Sequence, residues 1–302
     1  MVERVLVPDD GLVTSPTPTA VSDQIQTGPT SNGVLPRRNS VYQAEHRHGS
    51  VFRSFLSRTL DLLVPPTCPV CQTVVQNDGG LCATCWRDLH WIEEPVCNRL
   101  GSPLAYDLGP GAVSAEALAN PPEFNRLRAA CTYDGVAPRL VHALKHGRQR
   151  HLADSLGAMM ARAGRVLLED KHAVLVPVPL HPMRQMQRRY NQSALLARAV
   201  GDLTGIEVVY DAVKRVKRTR DQKALSRGDR MRNMESAFKI TDKGRALLAD
   251  RAVVLVDDVH TTGATLNALS ETIRSLPGAV RARDVDALVF STTIVLPAGA
   301  SI

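Results

Sequence analysis

From residue 128 onward the chain alternates short unbroken apolar runs with longer stretches in which apolar residues return every third or fourth position. Residues 129–133, 173–178, 252–256 and 285–290 are apolar runs of strand length, and 138–145, 152–168, 192–203 and 266–276 carry the helical period. Strands that are apolar throughout, alternating with helices, predict an α/β fold with a mainly parallel sheet and helices on both faces. Upstream, Val51, Phe52, Phe55, Leu56, Leu60, Leu62 and Leu63 fall mostly on one helical face, and Pro65-Pro66 ends that helix. The first 50 residues are rich in Ser, Thr, Pro, Gly and Asn and show no apolar period, as expected of a disordered tail. The expected organisation is a tail over 1–50, an amphipathic helix and a cysteine module over 51–105, a Gly/Pro/Ala-rich linker over 106–127 and an α/β domain over 128–296. No internal repeat is evident.

At 302 residues and 44% hydrophobic, the chain can bury one substantial core plus a smaller module. A net charge of +7 favours polyanionic ligands. Aromatic residues make up only 4%, which argues against an extended platform for stacking unpaired bases. The N-terminus has no export-signal pattern and no stretch is apolar over the length of a membrane span, so the expected location is the cytoplasm. In that reducing compartment six cysteines point to thiolate metal ligation before disulfides.

The segment of greatest chemical content runs from the apolar 252–256 strand into Asp257, Asp258, Val259, His260, Thr261, Thr262, Gly263, Ala264 and Thr265. A strand ending in two carboxylates passes through small and hydroxylated residues into a helix. Ligands of open α/β sheets sit at the carboxyl ends of strands, where helix N-termini present unpaired amides and partial positive charge. Gly263 permits close backbone approach, and Thr261, Thr262 and Thr265 can donate to phosphate oxygens. Two carboxylates beside an anion site need donors or a divalent cation of their own, and vicinal ribose hydroxyls with Mg²⁺ supply both. The plainer alternative is a helix capped by Asp258 or a threonine. No lysine follows the glycine, which disfavours a P-loop nucleotide hydrolase.

This segment resembles the signature of type I phosphoribosyltransferases, and the chain over 65–290 resembles the ComF/GntX family of competence-associated proteins. Further matches are Leu144-Lys145-His146, Pro177-Val178-Pro179-Leu180-His181, Arg188-Arg189-Tyr190-Asn191-Gln192-Ser193, Gln222, Arg232-Asn233 and Ala237-Phe238. The resemblance implies a type I phosphoribosyltransferase-like fold in which Asp257 and Asp258 hold ribose hydroxyls and the 261–265 turn holds the 5′-phosphate. It also implies that Lys145 and the loop of Pro179, Leu180 and His181 lie near the pyrophosphate. Thr261 stands where purine-salvage relatives carry an acid that acts on the base, which argues against purine salvage. Arg189 replaces a residue commonly glycine.

Two Cys-x-x-Cys knuckles, Cys68 with Cys71 and Cys82 with Cys85, complete a tetrahedral four-sulfur shell suited to structural Zn²⁺ in a small ribbon-like module. Cys97 has no partner three residues on, so a second zinc is not expected, and Cys131 reads as a small buried hydrophobe. Trp86 and Trp91 read as packing groups between the module and its neighbour. His142, His146, His181 and His260 read as hydrogen-bonding surface groups. Between 211 and 232 lie Lys214, Arg215, Lys217, Arg218, Arg220, Lys223, Arg227, Arg230 and Arg232 against three acids, a stretch fit to be a lid over pyrophosphate, a solvated loop or a track for single-stranded DNA.

Two functions therefore stand side by side. One is a Mg²⁺-dependent phosphoribosyltransferase-like protein that binds phosphoribosyl diphosphate or a nucleotide 5′-phosphate and transfers phosphoribose to an unidentified acceptor. The other is a competence-type protein of DNA uptake that binds single-stranded DNA and keeps the pocket as a regulatory site. Monomer and homodimer both remain open, and no membrane span is expected.

Overall fold

The computed structural model describes residues 65–76, 79–146, 151–180, 190–216, 237–278 and 281–293. The expected tail, the 51–63 helix, His181, Arg188, Arg189, Gln222 and the basic run from Lys217 to Arg232 lie outside the described residues.

Four strands form one parallel sheet: β1 (Leu127–Thr132), β2 (Ala173–Pro177), β5 (Ala252–His260) and β6 (Asp284–Thr292), in the order β1-β6-β5-β2. Two further strands, β3 (Val213–Arg215) and β4 (Phe238–Ile240), pair antiparallel on their own. Every residue of β1 and β2 is buried, which is why these strands read as unbroken apolar runs. Side chains alternate across β5: Val253 and Leu255 enter one core, Val254 and Val256 the other. The first core is closed by Leu266, Leu269 and Ile273 of α8 (Ala264–Arg274), by Leu248 of α7 (Asp242–Leu248) and by Phe238 and Ile240 of β4. The second is closed by α3 (Ala137–His146), α4 (Leu152–Ala163), α5 (Arg165–Leu168) and α6 (Gln192–Thr204). This is the α/β architecture the pattern predicts, with a parallel sheet between helical layers.

The cysteine module has two five-residue helices, α1 (Ala83–Arg87) and α2 (Ala115–Ala119), the second lying within the stretch expected as linker. Cys68, Cys85 and Leu89 share the second core with Ala130, Cys131 and Val136, so module and sheet are packed together. Trp86 and Trp91 pack with ring centroids 4.7 Å apart and planes tilted by 46°, and Trp91 bridges antiparallel to the buried Cys131. Gly135 marks one close approach: its φ is +51°, and a Cβ there would lie 2.6 Å from the Asp88 carbonyl oxygen.

Candidate phosphate site and metal centre

Strand β5 continues through its acidic pair because Asp257, Val259 and His260 keep their register with Val289, Ser291 and Thr292 of β6. The two adjacent carboxylates are thereby held at the carboxyl edge of the sheet and met by different helices. Asp257 Oδ1 accepts from Ser193 Oγ at 2.8 Å and from the Asp258 amide at 2.9 Å. Ser193 is in place because Asn191 caps α6, its side chain accepting from the Ser193 amide while its Nδ2 donates to the Val178 carbonyl. Asp258, 4% exposed, pairs with Lys145 Nζ at 3.0 Å from the last turn of α3, and Tyr190 Oη donates to the neighbouring Leu144 carbonyl. Burial, and then the charge of Asp258, push Asp257 up to about 7 against the pull of Ser193 and Lys145.

After His260 the chain turns through Thr261, Thr262 and Gly263 into α8. Gly263 is the N-cap, with φ +74°, and no side chain caps this helix. The start of α8 is thus left with its amides unclaimed by Asp258 or any threonine, contrary to the plainer capping reading. A Cβ at Gly263 would lie 3.1 Å from His260 Nε2. His260 departs from its expected surface role: its ring is half-buried, its Nδ1 lies 2.9 Å from Thr292 Oγ1, and burial lowers its pKa to about 4, so it is neutral.

Over the turn lies a cavity of about 350 Å³ lined by Thr261, Thr262, Gly263, Phe124, Asn267 and Thr292, with Leu100, Ser102, Glu116 and Asn120 on its far wall. Asp257 and Asp258 stand upstream on β5 and are not among its lining residues. Ala264 is buried and Thr265 half-buried in the first turn of α8. Pro179 and Leu180 follow β2 and are half-buried. A larger cavity of about 550 Å³ between Trp91, Arg128, Met159 and Arg162 contains neither Asp257 and Asp258 nor the turn. Sequence reasoning assigned no part in the site to Ser193, Tyr190 or Asn267. Ser193 and Tyr190 lay within the matched 188–193 segment, while nothing in the pattern marks Asn267.

The metal centre is local. Sγ atoms of Cys68, Cys71, Cys82 and Cys85 all lie within 4.8 Å of one another. Four sulfurs at about 2.3 Å from one zinc stand about 3.8 Å apart, so the cluster needs only a small contraction to bind Zn²⁺. Hydrogen bonding from Thr73 holds Cys71 down to about 6, in keeping with a thiolate ligand. Four protein ligands close the shell, which makes the metal structural.

Among the described residues no helix is long and apolar enough to cross a membrane. Residues 59–117 match the double zinc ribbon domain family. The chain is 32% identical over 202 residues to Competence protein F of Haemophilus influenzae, covering 66% of this chain and 86% of that protein. It is 31% identical over 218 residues to DNA utilization protein YhgH of Salmonella typhimurium, covering 70% and 91%. Against Competence protein ComFC of Bacillus subtilis the identity is 26% over 141 residues, covering 46% and 54%. With 66% of its length and 86% of the relative's covered at 32% identity, the chain belongs to the ComF family.

Proposed function

We propose that the turn of Thr261, Thr262, Gly263, Ala264 and Thr265, with Asp257 and Asp258 before it, binds phosphoribosyl diphosphate and serves transfer of its phosphoribosyl group to an acceptor. The observation that carries this reading is the uncapped eleven-residue helix that opens on the positive-φ Gly263, one short turn beyond the strand that holds Asp257 and the buried Asp258. The amides and threonine hydroxyls hold the 5′-phosphate, and the carboxylates accept from the ribose hydroxyls. In the transfer a nucleophilic atom of the acceptor bonds to C1 of the ribose while the C1–oxygen bond breaks and its electron pair leaves with the diphosphate. Lys145, which pairs with Asp258, turns to that leaving group, and His260, being neutral, adds no charge beside the turn. Mg²⁺ brought with the diphosphate supplies neutralisation of its charge, and Asp257 and Asp258 are hard oxygen donors of the kind it takes. A four-thiolate zinc site suits a reducing compartment, so we place the protein in the cytoplasm.

Titration calorimetry with phosphoribosyl diphosphate and Mg²⁺ tests this: binding by the wild type that Asp257→Asn/Asp258→Asn abolishes supports it, and no heat from the folded wild type refutes it. A second reading is favoured by the names of the relatives, Competence protein F and DNA utilization protein. In it the protein handles single-stranded DNA, with Lys214 and Arg215 at the start of the basic run as part of the track. Affinity for an oligonucleotide that falls steeply with salt supports that role, and affinity indifferent to salt refutes it.

A further inference from the structure

Cys97 is fully buried and stands outside the four-cysteine cluster, yet its backbone copies that of Cys68. The Cys68 amide donates to the Thr73 carbonyl at 2.7 Å, and the Cys97 amide to the Ser102 carbonyl at 2.7 Å. Gln72 donates back to the Cys68 carbonyl at 2.9 Å with φ +64°; Gly101 donates back to the Cys97 carbonyl at 2.8 Å with φ +62°. Each knuckle is closed by an antiparallel bridge at the same spacing, Thr67 with Val74 and Val96 with Pro103. A flanking bond then follows in each, Val75 to Pro66 and Leu104 to Pro95, both 2.9 Å.

The second halves correspond as well. Cys82 caps α1 at φ −68°, ψ 160°, and its sulfur accepts from the Cys85 amide. Ser114 caps α2 at φ −69°, ψ 154°, and its hydroxyl accepts from the Ala117 amide. The positions of Cys68, Cys71, Cys82 and Cys85 are therefore filled in the second copy by Cys97, Leu100, Ser114 and Ala117. That set offers one thiol, one hydroxyl already engaged as a cap, and two aliphatic groups, and it does not fit zinc.

We infer that residues 96–119 are a second zinc ribbon that folds without metal, so that the chain holds one zinc although its N-terminal region belongs to a double-ribbon family. Backbone amides take the place of the ion: Leu100 and Ser114 donate to Cys97 Sγ at 3.4 and 3.2 Å. The sheet supplies the remaining support. Arg99 donates to the carbonyls of Pro122 and Phe124 at 2.7 and 2.9 Å, the Leu127 amide donates to the Arg99 carbonyl, and Gly101 lies so close to β1 that a Cβ would be 2.4 Å from the Leu127 oxygen. Freed from ligation, Leu100 stands with Ser102, Glu116 and Asn120 in the wall of the cavity over the 261–263 turn. The second copy has exchanged a metal for a place in that wall.

The test is metal content of the full chain purified with excess Zn²⁺, counted by plasma mass spectrometry, and of the cobalt-exchanged chain, counted by its thiolate-to-metal absorption. One ion per chain in the wild type and in Cys97→Ala supports the inference. Two ions in the wild type, or loss of an ion in Cys97→Ala, overturns it. Leu100→Cys/Ser114→Cys/Ala117→Cys is expected to double the cobalt tetrathiolate absorption, and no gain by that folded variant overturns the equivalence of the two copies. Cobalt counting on the wild type needs no variant to fold.

Discussion

Asp257→Asn separates what the acidic pair costs the fold from what it does for a ligand. Burial and the adjacent Asp258 charge raise Asp257 from 3.8 to about 7 in the folded chain. Between those values the folded chain keeps a proton that the unfolded chain has lost. The stabilisation is full below 3.8 and is lost as pH rises through 7. At about 1.4 kcal/mol per unit, the two units between pH ~5 and pH ~7 amount to roughly 2–3 kcal/mol. Asn keeps the shape of the protonated acid but does not titrate. The expected result in urea unfolding is that Asp257→Asn gains roughly 2–3 kcal/mol on the wild type as the buffer moves from pH ~5 to pH ~8. An unchanged difference between the two proteins at both pH values refutes the reasoning. Binding of phosphoribosyl diphosphate by the wild type is expected to strengthen over the same window, since the ionised pair is the better acceptor of ribose hydroxyls.

Other outcomes follow from single contacts. Lys145→Ala leaves Asp258 buried without its counter-charge and is expected to cost roughly 2–4 kcal/mol by urea unfolding at neutral pH. Gly101→Ala adds a Cβ against the Leu127 carbonyl at positive φ and is expected to cost about 2 kcal/mol or more by thermal unfolding. Gly263→Ala strains a φ of +74° and crowds His260 Nε2; about 1 kcal/mol of stability should go, with at least tenfold weaker binding of phosphoribosyl diphosphate by calorimetry. Stripping zinc with a strong chelator is expected to lower the thermal midpoint, because Cys68 and Cys85 belong to a core shared with Ala130 and Cys131.

The strands of the main sheet were legible because both their faces are buried, which leaves an apolar run that needs no partner to be recognised. The run ends at Val256, whereas β5 continues to His260, since pairing with Ser291 and Thr292 holds polar residues as firmly as apolar ones. Strands β3 and β4 were not legible: three residues each, with Lys214 and Lys239 in the middle, they owe their form to one another across a long separation. Gly244 obscured α7 in the same way, although its missing Cβ is what lets that helix lie against the Ala212 carbonyl. At the site the acids, threonines and glycine were named by their order alone. Ser193, Tyr190 and the burial of His260 depend on folds of the chain that bring distant residues together. The ribbon duplication is masked when the two halves are compared by their ligands, because three of four positions changed, while the backbone bonds around Cys97 and Ser114 preserve it.

β1 is the outermost strand of the main sheet, and its free side is occupied by the chain between the two ribbons. The Ile92 amide donates to the Ala130 carbonyl, the Thr132 amide to the His90 carbonyl, and Trp91 bridges Cys131. Were the α/β body expressed alone from Leu127, six consecutive buried residues would present an open row of amides and carbonyls to other molecules. Such a fragment would polymerise edge to edge, so the thiolate segment acts as the permanent guard of that border as well as a holder of metal.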